Sequence, residues 1–163
     1  MTKGTLNPTK NDLPAKTREK IVALLNARLA DAVDLQSQAK QAHWNVKGPQ
    51  FIALHELFDK VAETAEEAVD LIAERAVQLG GTAFGTVRMA AKRSSLNEYP
   101  SSITSGPEHV GALSNAQAAF GRAVRVALEE SLKLGDADTA DLFTEISRDA
   151  DKLLWFVEAH NQK

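Results

Sequence analysis

An all-α fold, four long helices with a single long crossover, is what the sequence predicts, and three observations predict it. Apolar residues recur at three- and four-residue steps through four separate stretches, the signature of amphipathic helices. Only 6% of the 163 residues are aromatic, and 9 Gly and 5 Pro leave few turn-punctuated strand-like segments, which argues against a β-sandwich or barrel. The link between the second and third stretches is also much longer than the other two links.

Residues 1–13 show no apolar period and read as a flexible basic arm, with residues 14–163 forming one helical domain. The first helix opens after Pro14 on a stripe of Ile21, Leu24, Leu25, Ala32, Leu35, Ala39 and Ala42. It stops near Asn45, before the breaker pair Gly48-Pro49. The second follows Phe51, Leu54, Phe58, Val61, Ala65, Ala68, Ile72, Ala76 and Leu79 to a cap at Gly80-Gly81. From Gly81 to Pro107 the pattern weakens, with room for a short helix over 82–92. A third long helix follows Val110, Leu113, Phe120, Val124, Leu128 and Leu134 to Gly135, and a fourth follows Phe143, Ile146, Ala150, Leu153, Leu154 and Val157, with Asp136 or Asp138 as its N-cap. Short links make antiparallel hairpins of the first and last pairs, and the long link can cross the bundle. That is the one-crossover topology of ferritin-like four-helix bundles. An up-and-down bundle with a loose loop is the competing topology.

A chain 44% hydrophobic and 25% charged supports one core and excludes disorder. With no Cys, disulfides, thiolate zinc sites, iron–sulfur clusters and thiol nucleophiles are excluded, so any metal must bind His and carboxylate. No stretch approaches ~18 apolar residues, and Met1 to Pro14 is polar, so the expectation is a cytoplasmic protein with no signal peptide and no membrane partner. The net charge is −3, yet residues 1–20 set Lys3, Lys10, Lys16, Arg18 and Lys20 against Asp12 and Glu19 alone.

The chemistry concentrates on the second helix. No histidine has a Glu three residues before it, so the usual Glu-x-x-His pair of di-iron bundles is missing. Two i, i+4 pairs of ligand type stand there instead, His55 with Asp59 and Asp70 with Glu74. Asp59 and Asp70 are eleven residues apart, close to three whole turns, so the four side chains share nearly one line. The same interval spans roughly 16 Å, several times the ~2.0–2.2 Å of a metal–ligand bond. One copy of the helix cannot close a site.

Two copies can. Both pairs are symmetric about the midpoint between Thr64 and Ala65, so an antiparallel mate related by a two-fold there sets His55 and Asp59 against Asp70 and Glu74 of the other subunit. Two identical sites result, with centres roughly 22 Å apart. His43 and His55 are equidistant from Pro49 in the first turn, which brings His43 beside His55. Two imidazoles and three carboxylates suit Fe²⁺, Mn²⁺ or Zn²⁺. Each residue alone has an ordinary alternative: acids at i, i+4 form solvated faces, His43 can bond a backbone carbonyl, and Glu63, Glu66 and Glu67 near the two-fold can be surface filler.

At these residues the chain resembles the Dps family, the DNA-binding proteins from starved cells, or mini-ferritins. The matching stretches are KQAHWNVKGPQFIALHELFD, DLIAERAVQLGGTAFG and TADLFTEISRDADKLLWFVEAH, and the likeness runs from about Asp12 to His160. It implies a ferritin-like bundle with its short helix at a dimer interface, and a homo-dodecameric shell built from two-fold dimers. It also implies dinuclear iron centres between subunits, with Zn or Mn as possible substitutes. Their ligands carry over to His43, His55, Asp59, Asp70 and Glu74, and Trp44 corresponds to a tryptophan beside the site, with ordinary packing as the other reading. The family oxidises Fe²⁺, preferentially with hydrogen peroxide, and stores a ferric core. Iron access through acidic three-fold pores makes Asp141, with Asp136, Asp138 and Glu145, the candidate lining, against a role as N-caps and exposed helix face.

The family's DNA binding usually needs a basic tail, and Lys3, Lys10, Lys16 and Arg18 are the candidates here, for non-specific contact and nucleoid association. The alternative function is a nucleoid-compacting protein whose metal site is secondary. A zinc or manganese site used only in assembly is a third reading.

Overall fold

Five α-helices in chain order, α1 (Ala15–Asn45), α2 (Phe51–Gln78), α3 (Val87–Arg93), α4 (Gly106–Lys133) and α5 (Ala137–Glu158), make up the computed structural model, which describes residues 6–162. The long helices pair as two hairpins, α1 with α2 and α4 with α5, and the segment between them crosses the bundle and lays α3 against α1. The core between the hairpins includes Leu25, Leu29, Phe58, Ile72, Leu113 and Phe143, all buried. No described helix is long and apolar enough to cross a membrane.

Helix ends follow local chemistry. α2 and α4 both finish in a glycine with positive φ, Gly80 at 83° and Gly135 at 82°. In each case the glycine N–H and the next N–H turn back onto the last helical carbonyls: Gly80 to Val77 and Gly81 to Ala76, Gly135 to Leu132 and Asp136 to Ser131. This double bond pattern needs a left-handed residue, which glycine supplies without a Cβ clash. α4 starts four residues before the first apolar position of its stripe, Val110. The Glu108 carboxylate accepts from the backbone N–H (3.0 Å) and hydroxyl (2.7 Å) of Ser105, and Pro107 sits in the first turn. These bonds also hold Glu108 below the usual carboxylate range.

The crossover is not loose. Asn26 donates to the carbonyl of Thr82 (2.9 Å) and accepts from the N–H of Phe84 (2.8 Å), Asp31 accepts from the N–H of Ser95 (2.7 Å), and Gln38 donates to the carbonyl of Asn97 (3.0 Å). Polar residues of α1 thus satisfy the backbone of the irregular chain above them. This also moves the short helix: residues 82–86 are not helical, and α3 begins at Val87, after Thr86 accepts from the N–H of Met89.

Two residues of the expected arm, Asn7 and Leu13, touch the bundle. The end of α2 leaves the carbonyls of Leu79 and Gly80 without helical donors. The N–H of Asn7 fills Gly80 (2.7 Å) and the Arg18 guanidinium fills Leu79 (3.0 Å), while Leu13 packs on the core. Residues 1–5 of the arm lie outside the described part.

Candidate metal centre

The last turn of α1 and the first turns of α2 face each other across the short link, and two histidines meet there. Nδ1 of His43 lies 2.7 Å from the carbonyl of His55, and Nδ1 of His55 lies 2.9 Å from the carbonyl of His43. A carbonyl only accepts, so each Nδ1 carries the proton and donates it. In the neutral rings both Nε2 atoms therefore keep free lone pairs, the tautomer a metal requires. The rings stack with centroids 3.7 Å apart and planes 21° from parallel, and the Phe51 ring lies 5.1 Å from that of His55. The backbone-bonded reading of His43 and the ligand reading are thus the same geometry.

Asp59 stands one turn further along α2. Its carboxylate receives the Lys40 ammonium at 2.5 Å, a bond that holds it below the usual carboxylate range against weak desolvation, with the fields of His43 and His55 acting in the same direction as Lys40. Two lone-pair nitrogens and an ionised carboxylate one turn away are donors of the kind that Fe²⁺, Zn²⁺ or Mn²⁺ takes, but in one chain they are not gathered closely enough to hold an ion. Lys40 belongs to the site although the ligand spacing alone does not point to it. Its position three residues before His43 was the available signal, since i, i+3 residues share a helix face.

Asp70 and Glu74 are exposed on the second half of α2. Among the described residues of one chain no three His, Asp or Glu side chains are grouped to hold a metal ion. The rise of an α-helix keeps the two halves of the donor set roughly 16 Å apart.

Known proteins share the fold of this chain and part of its sequence. The family described as a ferritin-like domain matches residues 22–163. A protein of Agrobacterium fabrum named DNA protection during starvation protein is 46% identical over 155 residues, 95% of this chain and 96% of its own length. The chain belongs to the Dps family of ferritin-like proteins. DpsC from Streptomyces coelicolor superposes with a TM-score of 0.93 at 30% identity, covering 100% of this chain and 95% of that one. A relative in Haemophilus ducreyi, named fine tangled pili major subunit, is 34% identical over 148 residues, 91% of this chain and 78% of its own length. Relatives at this distance carry different functional names, so what this Dps chain does must be read from its site.

The remaining Dps-type candidates divide by burial. Asp138, Asp141 and Glu145 are exposed on α5. Asp136 is not: it is 2% exposed, accepts the N–H of Thr139 (3.0 Å) as N-cap, and pairs with Arg75 at 2.8 Å. Its carboxylate is consumed inside the protomer and is withdrawn from the pore lining. Trp44 is 66% exposed, with the Lys40 ammonium 6.0 Å from its ring, so it is not packed within the protomer. Of the DNA candidates, Lys10 and Lys16 are exposed, Arg18 is spent on the carbonyls of Leu13 and Leu79, and Lys3 lies outside the described residues.

Proposed function

We propose that this Dps chain is a ferroxidase and iron-storage subunit whose centres are shared across a two-fold. His43, His55 and Asp59 of one chain, with Asp70 and Glu74 of its mate, bind Fe²⁺ as a dinuclear substrate site. The observation that carries this reading is the reciprocal histidine lock, which presents two Nε2 lone pairs next to an ionised Asp59 in a set that one chain leaves incomplete. The exposed apolar residues beside it, Trp44, Phe51 and Ile52, support a covering partner.

Hydrogen peroxide is the preferred oxidant in this reading. It takes one electron from each of two Fe²⁺ ions, its O–O bond breaks, and with two protons it leaves as two waters, so no hydroxyl radical escapes. The ferric product is stored inside a homo-dodecamer, and DNA in the same cytoplasm is spared oxidative damage. Zn²⁺ or Mn²⁺ can occupy the donors without turning over. Asp138, Asp141 and Glu145 remain the proposed pore lining.

Stopped-flow oxidation of Fe²⁺ by peroxide and by dioxygen tests the assignment. His43→Ala and Asp70→Ala should each slow the peroxide reaction by more than about tenfold, the scale at which even residues behind a metal's ligands act. If both variants keep the wild-type rate, the ferroxidase reading fails. Direct DNA contact through Lys3, Lys10 and Lys16 is a separate matter of charge. A gel shift with and without residues 1–12 should show weak binding at low salt that vanishes at physiological salt, unless many arms on one shell add avidity.

A further inference from the structure

Tyr99 is the only tyrosine in the chain, and its hydroxyl lies 2.7 Å from Nδ1 of His109. His109 is 1% exposed, and its other nitrogen, Nε2, is buried without a hydrogen-bond partner among the described residues. The two rings lie 6.0 Å apart and 20° from parallel, and the ring of Phe58 lies 6.5 Å from that of His109, tilted by 53°. Phe58 precedes Asp59 and sits three residues after His55, hence on the neighbouring turn of the same helix. The crossover and α4 thus place a phenol–imidazole pair against Phe58, the residue that adjoins Asp59 in α2, and nothing in the two-iron reaction uses it.

We propose that Tyr99 and His109 form a redox pair that supplies the second electron when peroxide meets a centre holding a single Fe²⁺. This rests on the ferroxidase reading above. A phenol gives up an electron readily only if its proton leaves at the same time, and a base within hydrogen-bond distance provides for that. Burial pushes His109 below the usual histidine range, so at rest the ring is neutral with a lone pair to offer. Burial also pushes the Tyr99 phenol up, which closes the route through a phenolate. Once protonated, the imidazolium is favoured by Glu108 and by the carbonyls of Asn45 and Ile103 around it.

The step balances. Fe²⁺ gives one electron and becomes Fe³⁺, Tyr99 gives the other and becomes a neutral tyrosyl radical, and its phenolic proton moves from Oη to Nδ1 of His109. The peroxide O–O bond breaks, and its two oxygens, with their own hydrogens and two protons from solvent, leave as two waters. A later Fe²⁺ returns one electron to the radical, His109 returns the proton, and the pair is restored.

The test is freeze-quench electron paramagnetic resonance on the full-length assembly, mixed with peroxide at one Fe²⁺ per centre. A tyrosyl signal should form, narrow when the protein carries ring-deuterated tyrosine, disappear in Tyr99→Phe and weaken several-fold in His109→Gln. The isotope arm needs no substitution, so a misfolded variant cannot mask the result. At two Fe²⁺ per centre the wild-type signal should drop several-fold, because iron then supplies both electrons. Spin-trapped hydroxyl radical should rise in Tyr99→Phe at the low loading. Normal two-iron turnover with no deuterium-sensitive signal, or with a tryptophanyl signal alone, overturns this proposal and leaves the ferroxidase reading standing. Absence of two-iron turnover in the wild type overturns the ferroxidase reading instead.

Discussion

The two halves of α2 carry the same kind of side chains and treat them in opposite ways. At the first half, His55 and Asp59 are met by α1: His43 locks the imidazole through a backbone carbonyl, and Lys40 neutralises the carboxylate. At the second half, Asp70 and Glu74 are exposed, and the ion pairing goes to their neighbour Arg75, half-buried against Asp136, the N-cap of α5, and Thr139 in its first turn. One end is oriented in advance, the other offers charge outward. Orientation matters most for imidazole, whose tautomer decides whether it can ligate at all. Carboxylates need only be ionised and within reach, so they can be delivered by a second chain.

The largest expected effect breaks this comparison chain by chain. His43→Ala and Asp70→Ala should each be nearly inactive alone. In a mixed two-fold pair, one centre combines both lesions, while the other joins the intact His43 of one chain to the intact Asp70 of its mate. Co-expressing the two variants and measuring peroxide-driven Fe²⁺ oxidation should therefore restore a substantial share of wild-type rate. If mixing restores nothing while each variant assembles normally, the two halves of α2 do not serve one centre.

Much of this asymmetry was legible in the sequence. The equal spacing of His43 and His55 from Pro49 placed the rings together, because an antiparallel hairpin with a short link has little choice of register. Pro14, Gly48-Pro49, Gly80-Gly81 and Gly135 marked helix ends because their backbones permit little else. The start of α4 was missed, although Ser105-Gly106-Pro107-Glu108 is a helix-opening pattern, because the apolar period begins only at Val110. Two things were beyond local patterns. In the sequence Asp136 suits an N-cap and a pore residue equally, and its pairing with Arg75, 61 residues away, decides between them. The docking of Asn7 onto Gly80 likewise depends on a pairing that no periodicity encodes.

A second prediction isolates the donating half. Arg75→Met leaves Asp136, 2% exposed, as an uncompensated buried charge, which should cost about 3–5 kcal/mol of stability in chemical denaturation. Asp136→Asn in the same chain should recover part of that loss. In the mixed-pair assay the Arg75→Met, Asp136→Asn chain should impair the centre to which it gives Asp70 and Glu74 and spare the one to which it gives His43, His55 and Asp59. Equal loss at both centres would mean that Arg75 supports the fold as a whole and not the half of α2 that carries Asp70 and Glu74.

The smallest effect concerns Lys40, which occupies the carboxylate that a divalent ion would use. The pair is about one-third exposed on both sides, so it is worth only about 0.2–1 kcal/mol. Lys40→Met keeps the apolar stem and removes the competitor. Zn²⁺ affinity, measured by calorimetry because that ion does not turn over, should tighten by up to about fivefold, the equivalent of 1 kcal/mol, and the gain should shrink at high salt. The acid response has a defined sign. Lys40 holds the folded-state value of Asp59 below its ordinary 3.8, so the stability it lends is complete above that pH and fades as pH falls through the lowered value. The stability gap between wild type and Lys40→Met should therefore close below about pH 4. Weaker Zn²⁺ binding in the variant would reverse the role assigned to Lys40. It would then be a residue that orients Asp59 for the metal, and the first half of α2 would owe its preorganisation to α1 twice over, through His43 and through the ammonium.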